Sequence, residues 1–457
     1  MNESLVLARN IADVRYDDIP PQAIDAAKRS FLDALGVTLA AGTLGEGCRA
    51  FVDLAMSEGG KGESTILGFA ARAPAAMAAF ANGAMAHALD FEDVHDSAPV
   101  HPNAATVPAA LAVAESIGNV SGKQFLTAMV LGCDLTCRLG LALKENPLES
   151  GWYIPPILGA FGATAATCRL LELAAEQVVD AFSLTLCQAT CSAELTISPR
   201  SVVRSVRDAF SAKSGVLSAL LAERGVTGFD FPIEGKAGLF SLYSRGNYDP
   251  LALTDGLGQS FEGANISFKP WPSCRGTHSY IDAVLQIATS DGLRPSEVEG
   301  IRLIVSPVNR MLCEPLESKQ RPATAIDAKF SLPFVVATAL LRGRVNLDDF
   351  SPAALVDGEV LELAGMVTCE VDTRLTLKEA VRGFVEIDTG NGTLSRGVDL
   401  PYGHPQHPIS QETLVSKFKD CAKHAARRIS QTRLEEVVEL TAKLEQVEDI
   451  RQITQHL

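Results

Sequence analysis

From the N-terminus to about residue 265, the sequence is a succession of segments rich in Ala and Leu. Apolar residues recur in them at three- and four-residue steps, which is the periodicity of helices that bury a broad face. Each segment ends at Gly, Pro or a polar cluster. Helices are predicted from Pro20-Pro21 to Gly42 and near 74–88, 105–117, 123–143, 156–172, 175–194 and 205–224. A chain with this pattern over more than half of its length is expected to be mainly α.

After residue 266 the pattern changes, because β-branched residues concentrate in short runs that are typical of strands. Strands are predicted at 300–306 and 367–371, a hairpin at 384–398 around the turn TGNG, and helices at 278–290 and 326–341. Beyond Pro405 the pattern is helical again. We therefore predict a large all-helical domain formed by residues 1–265 plus 405–457, with residues 266–404 inserted as a smaller α+β lid domain.

Length and charge limit the possible functions. The chain has 457 residues, enough for two domains, and its 55 acidic against 40 basic residues give a net charge of −15. This charge argues against nucleic acid or an anionic membrane as the partner. The N-terminus lacks the features of a signal peptide, and no apolar run reaches the length of a transmembrane helix. The ten cysteines lie mostly within apolar helical patterns, as buried thiols do, so a cytoplasmic location is expected.

Three of the eight histidines lie within HALDFEDVHDSAPVH (87–101), together with Asp90, Glu92, Asp93 and Asp96. Many groups that exchange protons are thus concentrated in one loop between two Ala-rich helices. The carboxylates could orient His101 as a general acid or base, or hold Mg²⁺. They could also simply cap turns in a solvated loop. The residues alone leave these three interpretations open.

A second cluster is ISFKPWPSCRGTHSYIDA (266–283). Phe268, Pro270 and Trp271 flank Lys269, and such apolar neighbours would desolvate its ammonium group. A lysine in this setting can take a proton from carbon or pair with a carboxylate. The residues that follow lead into a predicted helix start, where free N–H groups favour an anion. An ordinary surface lysine beside a helix cap is the alternative.

These stretches resemble the MmgE/PrpD family, which includes 2-methylcitrate dehydratase, cis-aconitate decarboxylase and iminodisuccinate epimerase. The matching pieces occur in the family's order at 87–115, 155–173, 215–240, 266–283 and 328–343. The resemblance implies a large helical domain with a smaller α+β lid, a site between the two, a homodimer, and neither a metal nor an organic cofactor.

The resemblance also implies roles for individual residues. Asp90, His101 and Lys269 match the family's aspartate, the histidine of its His-Pro motif and its hinge lysine. Other positions depart from the dehydratase and decarboxylase pattern: Val94 for Thr, Tyr153 for His, Arg204 for Lys, Cys274 for the His of decarboxylases, and Phe334 for Tyr. Because a phenyl ring cannot donate a proton and arginine is almost never a base, these departures count against cis-aconitate decarboxylation and weaken the case for methylcitrate dehydration.

The remaining groups suit removal of a proton next to a carboxylate of a small di- or tricarboxylic acid. The predicted catalytic residues are Asp90, His101, Tyr153 and Lys269, and the predicted substrate-binding residues are Arg204, Arg207, Ser273, Cys274, Arg275 and His278. Since Tyr and Lys could act on opposite faces of a planar carbanion, an epimerase of the iminodisuccinate type is the first hypothesis. A dehydratase or other carboxylate lyase is the second, and a carboxylate-binding protein without catalysis is the third.

Overall fold

The computed structural model describes residues 2–198, 201–375 and 379–457. The chain divides into two compact units, of which the larger is Met1–Ile266 with Ser410–Leu457 and the smaller is Ser267–Ile409. The smaller unit is therefore an insertion in the sequence of the larger one. The mainly α fold with a smaller α+β part is confirmed, whereas the domain boundaries at 265/266 and 404/405 stay a prediction.

Most of the larger unit is helical, as the apolar periodicity predicts. Its helices before the insertion are α1 (Glu3–Asp13), α2 (Pro21–Leu44), α3 (Cys48–Ser57), α4 (Ala75–His87), α5 (Pro102–Ile117), α6 (Gly122–Leu141), α7 (Ile154–Leu170), α8 (Ala175–Leu186), α9 (Val203–Val206), α10 (Asp208–Glu223), α11 (Leu239–Ser244) and α12 (Pro250–Thr254). After the insertion follow α18 (Gln411–Ala422), α19 (Gln431–Ala442) and α20 (Arg451–Thr454).

The centre of the larger unit is a layer of Ala-rich helices, in which α4, α5, α7 and α10 pack against one another. Of these, α4, α5 and α7 are apolar on all sides and almost fully buried. Small residues let their backbones approach closely. At Gly83 of α4, an added Cβ would lie 2.9 Å from the backbone oxygen of Asp208 in α10. This close crossing brings the end of α4 next to the start of α10.

Three details of the larger unit differ from the sequence-based prediction. A short antiparallel ribbon, β1 (Ser64–Ile66) with β2 (Ala71–Ala73), lies between the helices. Strands of three residues are too short to show an alternating pattern. The helix predicted at 175–194 ends at Leu186, and the helix predicted at 205–224 is divided at Arg207 into α9 and α10.

The smaller unit is built on a four-stranded sheet in the order β4-β3-β5-β6. Its strands are β3 (Val298–Val305), β4 (Val367–Val371), β5 (Gly383–Thr389) and β6 (Gly392–Val398), and its helices are α13 (His278–Ser290), α14 (Leu316–Gln320), α15 (Ala325–Lys329), α16 (Leu332–Arg342) and α17 (Gly358–Gly365). β3 is parallel to β4 and antiparallel to β5. The hairpin β5–β6 forms around the predicted glycine-containing turn. Buried side chains of α13 and α16 complete the core with the sheet.

The C-terminal helices return to the larger unit, since α18 and α19 both pack on α2. Gly36 permits this packing, because a Cβ there would lie 3.1 Å from the Cα of Phe418. None of the helices in the described part of the chain combines the length and apolarity that a bilayer crossing requires.

Candidate active site

The ends of two buried helices place the predicted histidines. His87 is the last residue of α4, and His101 is the N-cap of α5, whose first turn begins with Pro102. Proline at the first helical position is favourable because it has no N–H to leave unpaired. The loop between the helices is buried over most of its length. The imidazole rings of His87 and His101 are in contact: their centres lie 4.9 Å apart in an edge-to-face arrangement.

Glu92 lies between these two histidines and is itself buried, with 3% of its surface exposed. Its Oε1 accepts a hydrogen bond from His87 Nδ1 and lies 2.8 Å from His101 Nδ1. The same nitrogen of His101 donates to the backbone oxygen of Asp93 at 3.1 Å. A carbonyl oxygen can only accept, so Nδ1 of His101 carries a proton. In the neutral ring, Nε2 is then the basic nitrogen.

Arg207 lies at the junction of α9 and α10 and is buried, with 2% of its surface exposed. Its Nη1 donates to His87 Nε2 and, at 2.6 Å, to the backbone oxygen of Arg204. Its Nε lies 3.6 Å from Asp208 Oδ2. Nη2 has no hydrogen-bond partner among the described residues. A buried guanidinium with an unused donor is suited to bind a carboxylate.

The charge states of His87 and Arg207 follow from their contacts. A guanidinium offers no acceptor, so His87 Nε2 must accept and its Nδ1 must carry the proton given to Glu92. Burial and the neighbouring Arg207 lower the pKa of His87 below its ordinary value, although Glu92 opposes this. Burial lowers the pKa of Arg207, but Tyr153 and Asp208 more than offset this and raise it overall. His87 is therefore neutral beside a cationic Arg207 near pH 7.

Tyr153 also contacts this cation. The guanidinium carbon of Arg207 lies 4.9 Å from the centre of the Tyr153 ring, a cation–π distance. Tyr153 is the N-cap of α7, and its backbone N–H donates to the oxygen of Cys191 at 2.9 Å. A bridge between Trp152 and Ser192 holds the same two segments together. Arg207 thus contacts both Tyr153 and His87.

A cavity of about 500 Å³ opens beside Arg207. This volume lies in the range of pockets that hold small molecules. Its wall combines apolar and hydroxyl-bearing side chains from α10 and from the segment between α8 and α10, including Thr190, Ser192, Leu195, Val203 and Phe210.

Asp90 joins the cluster through an uncommon backbone conformation. Its φ is +51°, in the left-handed region that non-glycine residues seldom adopt and in which Asp is more frequent than most. The backbone N–H of Asp90 donates to the oxygen of His87 at 2.8 Å. This turn keeps the carboxylate at the end of α4, where 4% of the residue is exposed.

Four of these residues are also close enough to ligate one ion. Single ligand atoms of His87, Asp90, Glu92 and His101 all lie within 4.8 Å of one another. However, the cation of Arg207 contacts His87 directly, and a second cation there would be repelled. Hydrogen bonds with neighbouring residues account for the positions of both histidines. The predicted absence of a metal stays a prediction.

The predicted residues of the smaller unit form a cluster of their own within residues 267–278. Lys269 is fully buried, and Arg275 Nη2 donates to Ser267 Oγ at 3.0 Å. Ser273 Oγ shares a hydrogen bond of 2.8 Å with Thr277 Oγ1. His278 Nε2 donates to the backbone oxygen of Ser273 at 3.2 Å.

Two further positions of the smaller unit were singled out in the sequence. The half-buried Cys274, within this cluster, donates its backbone N–H to the oxygen of Lys329 at 3.0 Å, and Phe334 is buried in the first turn of α16. That Lys269 and its neighbours meet the residues of the larger unit at one site stays a prediction.

Within the larger unit, the structure brings together the predicted residues Asp90, His101, Tyr153, Arg204 and Arg207. Three other residues connect them. Sequence reasoning assigned no role to His87 and Asp208, and considered Glu92 only as one of several loop carboxylates that could orient His101 or hold a metal. His87 and Glu92 were visible in the motif, and Asp208 directly follows Arg207. Their pairing was not visible, because Arg207 and His87 are 120 residues apart.

Comparison with known proteins agrees with this architecture. The profile of the MmgE/PrpD N-terminal domain matches residues 6–251, and that of the MmgE/PrpD C-terminal domain matches residues 271–443. The cis-aconitate decarboxylase-like protein oryM of Aspergillus oryzae is 28% identical over 99% of this chain and 96% of its own length. Cis-aconitate decarboxylase of Aspergillus terreus is 25% identical, with coverage of 96% and 92%. For 2-methylcitrate dehydratase of Cupriavidus necator the identity is 23%, with coverage of 89% and 87%. The chain therefore belongs to the MmgE/PrpD family.

Proposed function

We propose that this protein is a cofactor-independent lyase that moves a proton at the carbon next to a carboxylate of a small di- or tricarboxylic acid. The observation that carries the proposal is the state of His101. Its Nδ1 donates to the oxygen of Asp93 and lies 2.8 Å from Glu92, so Nε2 is the nitrogen that can take or give a proton. The relatives, which are named as decarboxylases and a dehydratase, support a lyase.

The residues of the larger unit suggest how such a step proceeds. A substrate carboxylate pairs with Nη2 of Arg207, and Nε2 of His101 removes the neighbouring proton. Negative charge then develops on the carboxylate, where the buried guanidinium stabilises it by several kcal/mol. Loss of a leaving group from the adjacent carbon completes an elimination. Protonated His101 or the hydroxyl of Tyr153 supplies the proton to the departing oxygen. In a decarboxylation, the same groups would protonate the carbon that loses CO₂.

An epimerase of the iminodisuccinate type is the second candidate. It is favoured by Tyr153, a second proton-carrying group that contacts the same guanidinium as His87. Epimerisation needs one group to remove the proton and another to return it from the opposite face. Tyr153, or Lys269 as predicted from the sequence, would serve as the second group. For the lyase and the epimerase alike, the proposed substrate is a di- or tricarboxylate.

Incubation with a panel of tricarboxylates and substituted succinates in D₂O tests both candidates. Release of water with formation of an unsaturated acid identifies a dehydratase, and release of CO₂ identifies a decarboxylase. Hydrogen exchange next to the carboxylate without either product identifies an epimerase. Binding that stabilises the protein without exchange or turnover would refute both and leave a carboxylate-binding protein.

The variant His101→Gln is expected to abolish whichever reaction is found. His456→Gln is the matched control, because His456 Nδ1 also lies 2.9 Å from a glutamate, Glu436, and its side chain is similarly exposed, 19% against 17% for His101. Full activity in His101→Gln would refute the assigned role of this histidine.

A further inference from the structure

A lysine of the C-terminal segment contacts the loop that carries Glu92. Lys417 lies on α18 and is buried, with 7% of its surface exposed. Its Nζ donates to the backbone oxygen of Phe91 at 2.7 Å and lies 3.9 Å from the centre of the Phe91 ring. The same Nζ is 2.6 Å from Oδ1 of Asp33, on α2. One ammonium group therefore joins α18, α2 and the loop.

The contacted oxygen is placed to control Glu92. Phe91 lies between Asp90 and Glu92 in the sequence, and its C=O belongs to the same rigid peptide plane as the N–H of Glu92. Fixing this oxygen therefore fixes the plane from which the Glu92 side chain departs. Glu92 in turn contacts Nδ1 of both His87 and His101.

General stability does not explain such a lysine well. Burying two charges removes both from water, and apolar side chains of similar volume often stabilise a core as much or more. A directed ammonium group offers what an apolar side chain lacks, a hydrogen bond to one particular carbonyl oxygen. The contact with Phe91 is the part of this arrangement that reaches the candidate site.

We propose that Lys417 is a positioning residue of the candidate active site: through the oxygen of Phe91 it holds Glu92 in contact with His101. The importance of this role for turnover rests on the proposed function, whereas its effect on His101 does not. Asp33 serves the role by pairing with the ammonium group of Lys417 and so directing it.

The test compares Lys417→Met with Lys28→Met. Lys28 is the matched control, because it also joins α2 to the C-terminal segment, with Nζ 2.8 Å from Glu445 Oε2 and 3.2 Å from the oxygen of Ala442. It lacks the contact with Phe91. Lys417→Arg tests rescue by another cation. The double variant Asp33→Asn/Lys417→Met removes both charges together. If Lys417→Met does not fold because Asp33 has lost its cation, the double variant takes its place.

Two readouts are taken. Nitrogen-15 NMR of the histidine rings reports, without any substrate, the protonation and hydrogen bonding of each ring nitrogen of His101. The kcat/KM of the substrate found in the D₂O panel reports catalysis. In folded Lys417→Met and in the double variant, we expect the Nδ1–H signal of His101 to shift, because this nitrogen loses its contact with Glu92 and keeps only the oxygen of Asp93. We also expect kcat/KM to fall at least tenfold in both. Lys28→Met should retain the original signal and kcat/KM, and Lys417→Arg should recover most of each.

An unchanged His101 spectrum in a folded Lys417→Met or double variant would overturn the proposal, whatever the activity. The opposite result is also informative. A changed His101 spectrum in the Lys417 variants, together with an original protein that shows neither exchange nor turnover in the D₂O panel, would refute the proposed function and leave the positioning role of Lys417 intact.

Discussion

Oε1 of Glu92 lies 2.8 Å from Nδ1 of His101 and also accepts a hydrogen bond from Nδ1 of His87. A single carboxylate oxygen therefore contacts the Nδ1 atom of each of the two histidines. The consequence differs between the two rings. Nε2 of His87 is occupied by Arg207, whereas Nε2 of His101 has no hydrogen bond within the described residues. This difference separates the histidine that supports the site from the one that can exchange a proton.

Replacing Glu92 by Gln tests this relationship. The amide keeps the shape of Glu92 but carries no charge, so it no longer stabilises the imidazolium that forms when Nε2 of His101 takes a proton. We expect kcat/KM to fall by about 100-fold or more, as for other carboxylates that orient a catalytic histidine. Steady-state kinetics on the reaction found in the D₂O panel measures the change. Glu436→Gln, which alters the pair with His456, should have no effect; equal activity of the two variants would contradict the assigned role of Glu92.

The groups predicted to exchange protons with substrate are tested by Tyr153→Phe and Lys269→Ala. The phenyl ring keeps the contact with Arg207 but has no proton to give, and alanine removes the ammonium group. Each variant should slow α-hydrogen exchange or turnover at least about 100-fold if its residue is a general acid or base. Tyr248→Phe is the control for loss of a hydroxyl, since Tyr248 stacks on Phe240. A Tyr153→Phe enzyme with normal turnover would remove Tyr153 from the mechanism.

Patterns with a short period could be predicted from the sequence because local interactions determine them. The Ala-rich helices, the strands of the smaller unit and its hairpin follow from apolar periodicity, runs of β-branched residues and a glycine-containing turn, whereas the parallel pairing of β3 with β4 was not predicted. The ribbon β1–β2 was missed because its strands have three residues each. The break at Arg207 was missed because the apolar pattern continues across it.

For the candidate site, the sequence indicated which residues carry chemistry but not how they are connected. Asp90 and His101 were expected from their motif, and Arg207 from its charge. The hydrogen bond between Arg207 and His87 depends on the crossing of α4 and α10, which joins segments 120 residues apart. The role of Lys417 depends in the same way on the return of the C-terminal segment. Tertiary contacts of this kind have no local signal.

The buried Asp93 predicts a pH dependence of stability. Burial raises its pKa from 3.8 to about 7, although a hydrogen bond from Asn103 opposes this. Between pH 4 and 7 the folded protein holds a proton that the unfolded chain has released. The contribution of Asp93 to the free energy of unfolding therefore decreases as pH rises through this window.

Asp93→Asn removes this contribution, because the amide stays neutral. Relative to the original protein, the variant should gain on the order of 4 kcal/mol of stability between pH 4 and 8. Urea denaturation across this range measures the difference. The exposed Asp53→Asn should show no such trend. A constant difference between Asp93→Asn and the original protein would show that Asp93 does not titrate in this window.

Chelation tests the absence of a metal requirement. The ligand atoms of His87, Asp90, Glu92 and His101 are close enough for an ion, but the charge of Arg207 beside His87 opposes one. We expect dialysis against excess EDTA to leave kcat/KM unchanged. Re-addition of Zn²⁺, Mg²⁺ or Mn²⁺ should then give no increase. Loss of activity that one of these ions restores would identify the cluster as a metal site and assign the histidines as ligands.

The crossing that assembles the site is tested by Gly83→Ala. The added Cβ would lie 2.9 Å from the backbone oxygen of Asp208 and 3.1 Å from the Cα of Ala209, so α4 and α10 must move apart. Overpacking of this kind lowers the free energy of unfolding by about 1–3 kcal/mol. Because the same movement separates His87 from Arg207, KM for a carboxylate substrate should rise as well. Gly365→Ala, at the end of α17, is the control: nothing lies within 4 Å of its added Cβ, and alanine favours a helix. Destabilisation of Gly83→Ala with an unchanged KM would show that the site does not depend on this crossing.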